Sequence, residues 1–184
     1  MKTAHRILFY LLLAFTTQIA VAQNSFSAAG ALDFWISNTE KEVMSAAEAM
    51  PEDKYSFRPT AGEFSGVRTF GEQIKHLAAN NYRMAAYILG QQPSPDQEHE
   101  TGPTSVQTKA QIVDYAKGSF AALHRAAGSI NDKNLLEPVP GHAYPRQNTR
   151  LQFAVDAVAH SNDHYGQMVE YLRMNGIVPP ESRK

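Results

Sequence analysis

The chain has 184 residues, of which 43% are hydrophobic and 19% are charged, and its formal net charge is −1. This length supports one domain with a substantial core but not two. The near-neutral charge, without a basic patch interleaved with aromatic residues, argues against a nucleic-acid partner held through its phosphates. No cysteine is present, so disulfides are excluded and any metal site must use nitrogen and oxygen ligands.

Residues 1–22 have the parts of an export signal. Two basic residues near the start precede a short apolar run from Ile7 to Phe15, and Ala20-Val21-Ala22 is a small-x-small cleavage site. The run is too short for a membrane span, and an uncleaved anchor is the less favoured alternative. We therefore predict a cleaved signal peptide over residues 1–22, a single mature domain over residues 23–184, and an exported protein that is periplasmic or secreted.

The first predicted helix runs from Ser27 to Ala49. Its pattern of helical spacing is formed by Leu32, Trp35, Ile36, Thr39, Val43, Ala46 and Ala47. The pattern stops before Met50-Pro51, because the residue before a proline disfavours helical geometry. The single tryptophan, Trp35, is predicted to lie in the core. The segment from Tyr55 to Pro59 is predicted to be an ordered connection whose aromatic side chains pack under the bundle.

The second predicted helix opens with the capping box Thr69-x-x-Glu72 and ends near Leu89-Gly90. Its core stripe consists of Phe70, Ile74, Leu77, Met84 and Ile88. His76 lies about 100° from that stripe, since each helical residue turns the chain by about 100°. A polar seam formed by His76, Gln73, Asn80 and Tyr87 therefore runs beside the apolar one.

A long surface loop is predicted from Gln91 to Val106, with His99 in solvent. Thr108-x-x-Gln111 caps a third helix that extends to Gly128, and His124 on it is predicted to be partly buried and hydrogen-bonded. The third helix buries Ile112, Tyr115, Phe120 and Leu123. A proline-rich connection from Asn131 to Arg146 leads to the last helix.

The fourth predicted helix runs from Thr149 to Asn175 and begins with the capping box Thr149-x-x-Gln152. One apolar stripe consists of Leu151, Val155, Val158, Val169 and Leu172. A second consists of Phe153, Ala157, His160, His164, Met168 and Tyr171. Burial on two sides is expected of a helix that contacts two neighbours in a bundle. Four helices without strand alternation predict an all-α, four-helix bundle.

Three histidines suggest a metal centre. His160 and His164 are one turn apart on one face of the fourth helix, and His76 lies on the polar seam of the second. Three imidazoles with one open position can hold a catalytic divalent ion, most often zinc, while nickel, iron and manganese remain open. The alternative is a set of ordinary hydrogen-bonded helix histidines. The pattern is neither the HExxH of metalloproteases nor the Glu-x-x-His of di-iron bundles.

Several polar residues are candidates to support such a centre. Glu72 and Asp163 are each positioned to contact a ligand imidazole, although a solvated surface carboxylate is the favoured interpretation of both. Asn80, Tyr87 and Gln167 are candidate polar groups of a pocket.

The chain resembles the DinB-like family over about residues 28–180. The resemblance is carried by GEQIKHLAANNYRM around His76, by HSNDHYGQMVEYLRMNGIVPP near the end, and by the segment from Tyr55 to Pro59. It implies a four-helix bundle, often a homodimer, that holds a divalent metal through three histidines, here His76, His160 and His164. Activities in related groups include thiol-dependent S-transfer and maleylpyruvate isomerisation. The export signal departs from the family, whose members are mostly cytoplasmic.

These observations leave three functional hypotheses. The first is a metal-dependent hydrolase or transferase that acts on a small molecule at the three histidines. The second is a non-catalytic metal- or ligand-binding bundle that serves as a stress or envelope protein. The third is a helical bundle without a metal.

Overall fold

The structure, a computed structural model, describes residues 27–60, 66–140 and 148–183. Within these ranges the chain is all-helical and contains no β-strand. The predicted signal peptide over residues 1–22 lies outside the described residues, as do parts of the two connections before the second and fourth helices.

Four long helices form the bundle: α1 (Ala28–Ala49), α2 (Phe70–Ile88), α3 (Lys109–Gly128) and α4 (Arg150–Met174). All four predicted helices are confirmed to within two residues. Thr69, Thr108 and Thr149 each cap a helix by accepting a hydrogen bond from the third helical residue, and the capping boxes are complete. These reciprocal bonds satisfy N–H groups that a helix start leaves without partners, which is why the boundaries were readable from the sequence.

α2 and α3 run parallel to each other. Gly71 near the start of α2 lies against Ile112 near the start of α3, and further along Asn81 Nδ2 donates to Ser119 Oγ at 3.4 Å. The connection between parallel helices must return along the bundle, over about 28 Å for a 19-residue helix. The predicted loop of residues 91–106 does this, and it contains one short helix, Pro95–Glu98.

α2 and α4 are antiparallel. Gln73 near the start of α2 bonds to Gln167 towards the end of α4, at 2.7 Å. At the opposite ends, Arg150 Nε donates to the carbonyl oxygen of Ile88 at 3.1 Å. This register places the middle of α4 beside the first half of α2.

α1 is antiparallel to α3. His124 contacts Asp33 near the start of α1, and Lys109 at the start of α3 donates to the carbonyl oxygens of Glu48 and Met50 at the end of α1. α1 packs on α3 and α4, and α2 packs on the same two helices, so α1 and α2 lie on opposite corners. The helix directions in chain order are therefore up, down, down, up.

The bundle interior is filled by large apolar side chains from all four helices. The largest fully buried side chains include Ile36, Phe70, Leu77, Phe120, Phe153 and Leu172. Tyr55 is also buried, donates its hydroxyl to the carbonyl oxygen of Ala47 at 2.7 Å, and packs edge-on against Phe70. The prediction that the aromatic side chains of residues 55–59 pack under the bundle is thus confirmed for Tyr55.

Two core predictions are wrong. Trp35 is 55% exposed, because the buried face of α1 near it is formed by Leu32, Ile36 and Thr39, and Trp35 lies at the edge of that face beside Phe34. Val155 is 52% exposed. The stripe of α4 that carries the histidines is its core stripe. Of the Val155 stripe only Leu172 is buried, and its other members are half-buried or exposed.

Among the described residues, no helix is both long enough and apolar enough to cross a membrane.

Candidate metal centre

His76, His160 and His164 meet between α2 and α4. Nε2 of His160 lies 3.1 Å from Nε2 of His76 and 3.2 Å from Nε2 of His164. One ligand atom from each residue lies within 4.8 Å of those of the other two. The described residues thus contain a three-histidine group that is able to hold a metal ion.

The register of the two helices explains the convergence. His160 and His164 are four residues apart, so both project from one face of α4. The antiparallel packing brings His76 opposite them, since Gln73, three residues earlier, contacts His164 directly. His76 and His164 are buried, and His160 is partly exposed.

The long connection between α2 and α3 fixes the orientation of His76. Nδ1 of His76 lies 2.5 Å from the carbonyl oxygen of Glu100. A carbonyl oxygen only accepts hydrogen bonds, so Nδ1 carries the hydrogen and the lone pair is on Nε2. Arg68 Nη2 pairs with Glu100 Oε1 at 2.9 Å and holds the same loop residue. The loop therefore presents Nε2 of His76 as a potential ligand.

A series of hydrogen-bonded side chains fixes the orientation of His164. Asp163 accepts from Gln167 Nε2 at 2.9 Å, Gln167 Oε1 accepts from Gln73 Nε2 at 2.7 Å, and Gln73 Oε1 lies 2.6 Å from Nδ1 of His164. The Asp163 carboxylate only accepts hydrogen bonds, so it fixes the orientation of the Gln167 amide, which in turn fixes that of the Gln73 amide. Gln73 therefore turns its side-chain oxygen towards His164. His164 thus carries its hydrogen on Nδ1, and its Nε2 lone pair points towards His160.

His160 differs from the other two histidines. Its Nδ1 is buried and has no hydrogen-bond partner in the described ranges. Nε2 of His160 lies 3.1 Å and 3.2 Å from the lone-pair nitrogens of His76 and His164, so without an ion its hydrogen is favoured on Nε2, from which it can donate to them. Metal binding requires the other tautomer, with the hydrogen on Nδ1, so that each of the three residues offers an Nε2 lone pair.

The site favours neutral imidazoles. Burial, together with the neighbouring histidines, lowers the pKa of His160 to about 4 and that of His164 to about 3. Burial also lowers the pKa of His76. Metal coordination requires the unprotonated ring, so the three side chains are in the required form at neutral pH.

Two of the three nitrogen separations match those around a tetrahedral ion. Zinc bound to imidazole nitrogens at about 2.0–2.1 Å places neighbouring ligand nitrogens about 3.3 Å apart. The separations of 3.1 and 3.2 Å from His160 are close to that value. Three nitrogen ligands leave one tetrahedral position for a small molecule.

The other predicted site residues differ in whether they contact the three histidines. Glu72 does not support a histidine, because its carboxylate accepts from the backbone N–H of its own N-cap, Thr69, at 2.7 Å. Asp163 and Gln167 belong to the series of hydrogen-bonded side chains that orients His164. Asn80 is buried and bonds to Arg83. Tyr87 is buried and packs its ring against Phe153.

The two predicted non-ligand histidines behave as expected. His124 is partly buried, with one ring nitrogen 2.5 Å from Asp33 Oδ1 and the other 3.0 Å from Glu40 Oε2. His99 is exposed in the loop.

Sequence reasoning missed three residues that orient the histidines: Gln73, Arg68 and Glu100. Gln73 lies on the same polar seam as His76, three residues earlier, and this position could have predicted it as a hydrogen-bond partner of a histidine in the centre. Glu100 acts through its backbone carbonyl, so no side-chain pattern points to it.

The chain matches the model of the DinB superfamily over residues 36–168. The chain belongs to the DinB superfamily. The fold agrees with this assignment: a solved DinB-like protein from Bacillus cereus ATCC 10987 superposes with a TM-score of 0.64 and 18% identity, covering 84% of this chain and 96% of that one. At this identity the likeness concerns the fold alone. No match was found among curated proteins.

Proposed function

We propose that this DinB-superfamily protein binds one divalent metal ion through Nε2 of His76, His160 and His164 and catalyses hydrolysis or group transfer on a small molecule. The observation that carries the proposal is the convergence of the three Nε2 atoms, with 3.1 and 3.2 Å separations from His160. Two of the three tautomers are set by fixed acceptors, which is the usual support for ligand imidazoles.

A bound divalent ion would supply Lewis-acid polarisation of a substrate oxygen. The chain itself contributes orientation: the Glu100 carbonyl holds His76, and Gln73 holds His164. Zinc is the first choice for three nitrogen ligands in tetrahedral geometry, and nickel, iron and manganese are the other candidates.

Export, as proposed from residues 1–22, bears on the reaction class. Periplasmic and secreted proteins work in an oxidising environment, in which free thiols are not maintained. Hydrolysis is therefore favoured over the thiol-dependent transfer that the family resemblance implies. A homodimer is proposed on the resemblance alone, and sedimentation velocity of the mature chain tests it.

The test of the enzymatic proposal is a substrate screen with a matched pair of histidine variants. Zinc-loaded protein is assayed on small esters, amides and thiol acceptors, with His160→Ala as the site variant and His99→Ala as the control. The proposal predicts turnover in the wild type and His99→Ala, and its loss in His160→Ala. Equal turnover in His160→Ala would exclude these histidines as the catalytic centre.

A second candidate function is a non-catalytic metal-binding bundle. It is favoured by the placement of the ligands on two helices, because one ion would then link α2 to α4 and stabilise the folded state. This candidate predicts a large fall in Tm on chelation and no turnover in the same screen. Turnover that depends on His160 would rule it out.

A further inference from the structure

A second set of polar side chains lies on the same face of α2 as His76. Asn80 and Arg83 follow His76 by four and seven residues, the spacing that keeps side chains on one helical face. Asn80 is only 3% exposed, and Arg83 is half-buried. Among the described residues, neither side chain forms a hydrogen bond with the three histidines.

Each of the two side chains has an N–H donor without a hydrogen-bond partner among the described residues. Arg83 Nη2 donates to Asn80 Oδ1 at 2.6 Å, which uses the amide oxygen. Asn80 Nδ2 and Arg83 Nε are both buried, and neither has an acceptor in the described part of the chain. A buried N–H without a partner is costly, and an ordered water or a bound anion that accepts from it would remove that cost.

The guanidinium of Arg83 gives the region around Asn80 and Arg83 a positive charge. No ion pair among the described residues includes Arg83, whereas Arg68, on the other side of the centre, is paired with Glu100. The Arg83 charge also helps to lower the pKa of both His76 and His160, which indicates that it lies near both rings. Asp156, one turn before His160, acts in the opposite direction on His160 but forms no ion pair with Arg83.

We propose that the small-molecule substrate carries an oxyanion, a carboxylate or a phosphate, which accepts hydrogen bonds from Asn80 Nδ2 and Arg83 Nε beside the three-histidine centre. This inference rests on the proposed function for its role in a reaction, but the anion site itself is defined by α2 alone. Guanidinium and amide N–H groups bind the planar or tetrahedral oxygens of such anions, and hydrogen bonds to a charged acceptor are stronger than neutral ones.

The test measures anion binding by calorimetry in both metal-free and zinc-loaded protein. Acetate and inorganic phosphate are the two probes, and acetamide is the neutral probe that matches acetate in size. The comparison of acetate with phosphate separates the two anion classes. Zinc binding is titrated separately on the same samples, so a failure of the metal proposal is seen independently of the anion result.

Two substitutions remove the proposed donors. Arg83→Gln removes the charge and the Nε donor. Asn80→Asp keeps an oxygen for Arg83 but replaces the Nδ2 donor by a second, negatively charged oxygen. Arg173→Gln is the matched control, because it removes the same charge at an exposed position that pairs with Glu170. Thermal unfolding checks that each variant is folded.

The proposal predicts that acetate or phosphate, but not acetamide, binds the wild type and Arg173→Gln in both metal states. Each of Arg83→Gln and Asn80→Asp should weaken that binding by about tenfold or more, the usual effect of losing a hydrogen bond to a charged group. Three results would overturn the proposal: no anion binding to the wild type, binding of acetamide equal to that of acetate, or unchanged affinity in folded Arg83→Gln and Asn80→Asp. Arg83-dependent anion binding without zinc binding would keep the anion site and refute the metal.

Discussion

The side-chain oxygen of Gln73 lies 2.6 Å from Nδ1 of His164, and the amide nitrogen of Gln73 donates a hydrogen bond to Gln167 Oε1. This contact joins α2 to α4 immediately beside the three converging nitrogens. It leaves His164 with its lone pair on Nε2, which is the atom that faces His160.

Replacing Gln73 should weaken metal binding without touching a ligand. In Gln73→Leu the Nδ1–H of His164 loses its acceptor, and losses of this kind reduce metal affinity by about 10–100-fold. Competition with a chromophoric chelator at pH 7 measures the zinc affinity. Gln73→Glu retains an acceptor and should recover most of the affinity.

The control for that series is Gln91→Leu, at an exposed glutamine in the loop after α2. It should leave the zinc affinity at the wild-type value. Equal affinities of Gln73→Leu and Gln91→Leu would show that the Gln73 contact does not support the ligand.

The three buried histidines should make the metal-free protein sensitive to acid. An unfolded histidine binds a proton at a pKa of about 6.5. Burial lowers the pKa of His160 to about 4 and that of His164 to about 3 in the folded protein. Between pH 6.5 and these values the unfolded state binds more protons, so the stability of the folded state falls as the pH falls through this window.

The corresponding measurement is the Tm of chelator-treated protein between pH 7 and pH 4. The wild type should lose stability steadily below pH 6.5, and His160→Gln should lose less, because one of the titrating groups is absent. The substitution His99→Gln, in the exposed loop, should follow the wild type. A Tm of the wild type that is constant from pH 6.5 to pH 4.5 would contradict the lowered pKa values.

The convergence of the three histidines was easier to predict from the sequence than the groups that orient them, for a physical reason. The i,i+4 pair on α4 and the seam position of His76 follow from helical periodicity alone. The Glu100 carbonyl reaches His76 only because a parallel α2–α3 pair sends the connection back along the bundle. That crossing depends on how the helices pack, and no local pattern in residues 91–106 specifies it.

His124 should stabilise the protein in the opposite pH direction. Burial alone lowers the pKa of His124, but the hydrogen bonds and charges of Asp33 and Glu40 outweigh burial and raise the pKa above its usual value. The resulting link between α1 and α3 is fully present below the unfolded pKa of about 6.5 and is lost as the pH rises through the folded value.

The variant His124→Gln therefore tests the link. Exposed ion pairs contribute about 0.2–1 kcal/mol each, so His124→Gln should be less stable than the wild type by a small margin at pH 6. The margin should shrink as the pH is raised to 9, and it is read from urea unfolding at each pH. A margin that grows with pH would contradict the assignment.

Trp35 and Ile36 are adjacent in sequence but differ in burial. Trp35 is 55% exposed, and Ile36 is 1% exposed. Trp35→Gln should change the free energy of unfolding by no more than about 0.5 kcal/mol, whereas Ile36→Ala should cost about 2–5 kcal/mol. Urea unfolding of the two variants decides this. Strong acrylamide quenching of the single tryptophan in the native protein is the independent check.

The error at Trp35 shows what periodicity leaves open. A helix that contacts two neighbours has a wide buried arc, and a large apolar residue at its edge fits the pattern as well as one inside it. Burial at the edge depends on which side chains the neighbouring helix presents. In this bundle Asn162 of α4, which accepts from Thr39, lies at that margin, so the indole stays in solvent.

The most direct test of the central claim is the metal content of protein purified without an affinity tag. Inductively coupled plasma mass spectrometry is applied to the wild type, to His76→Ala, His160→Ala and His164→Ala, and to the controls His99→Ala and His124→Ala. The account predicts about one divalent ion per chain in the wild type and both controls, and a large loss in each of the three site variants. A wild type that stays free of metal after incubation with zinc, or a full metal content in a site variant, would contradict it.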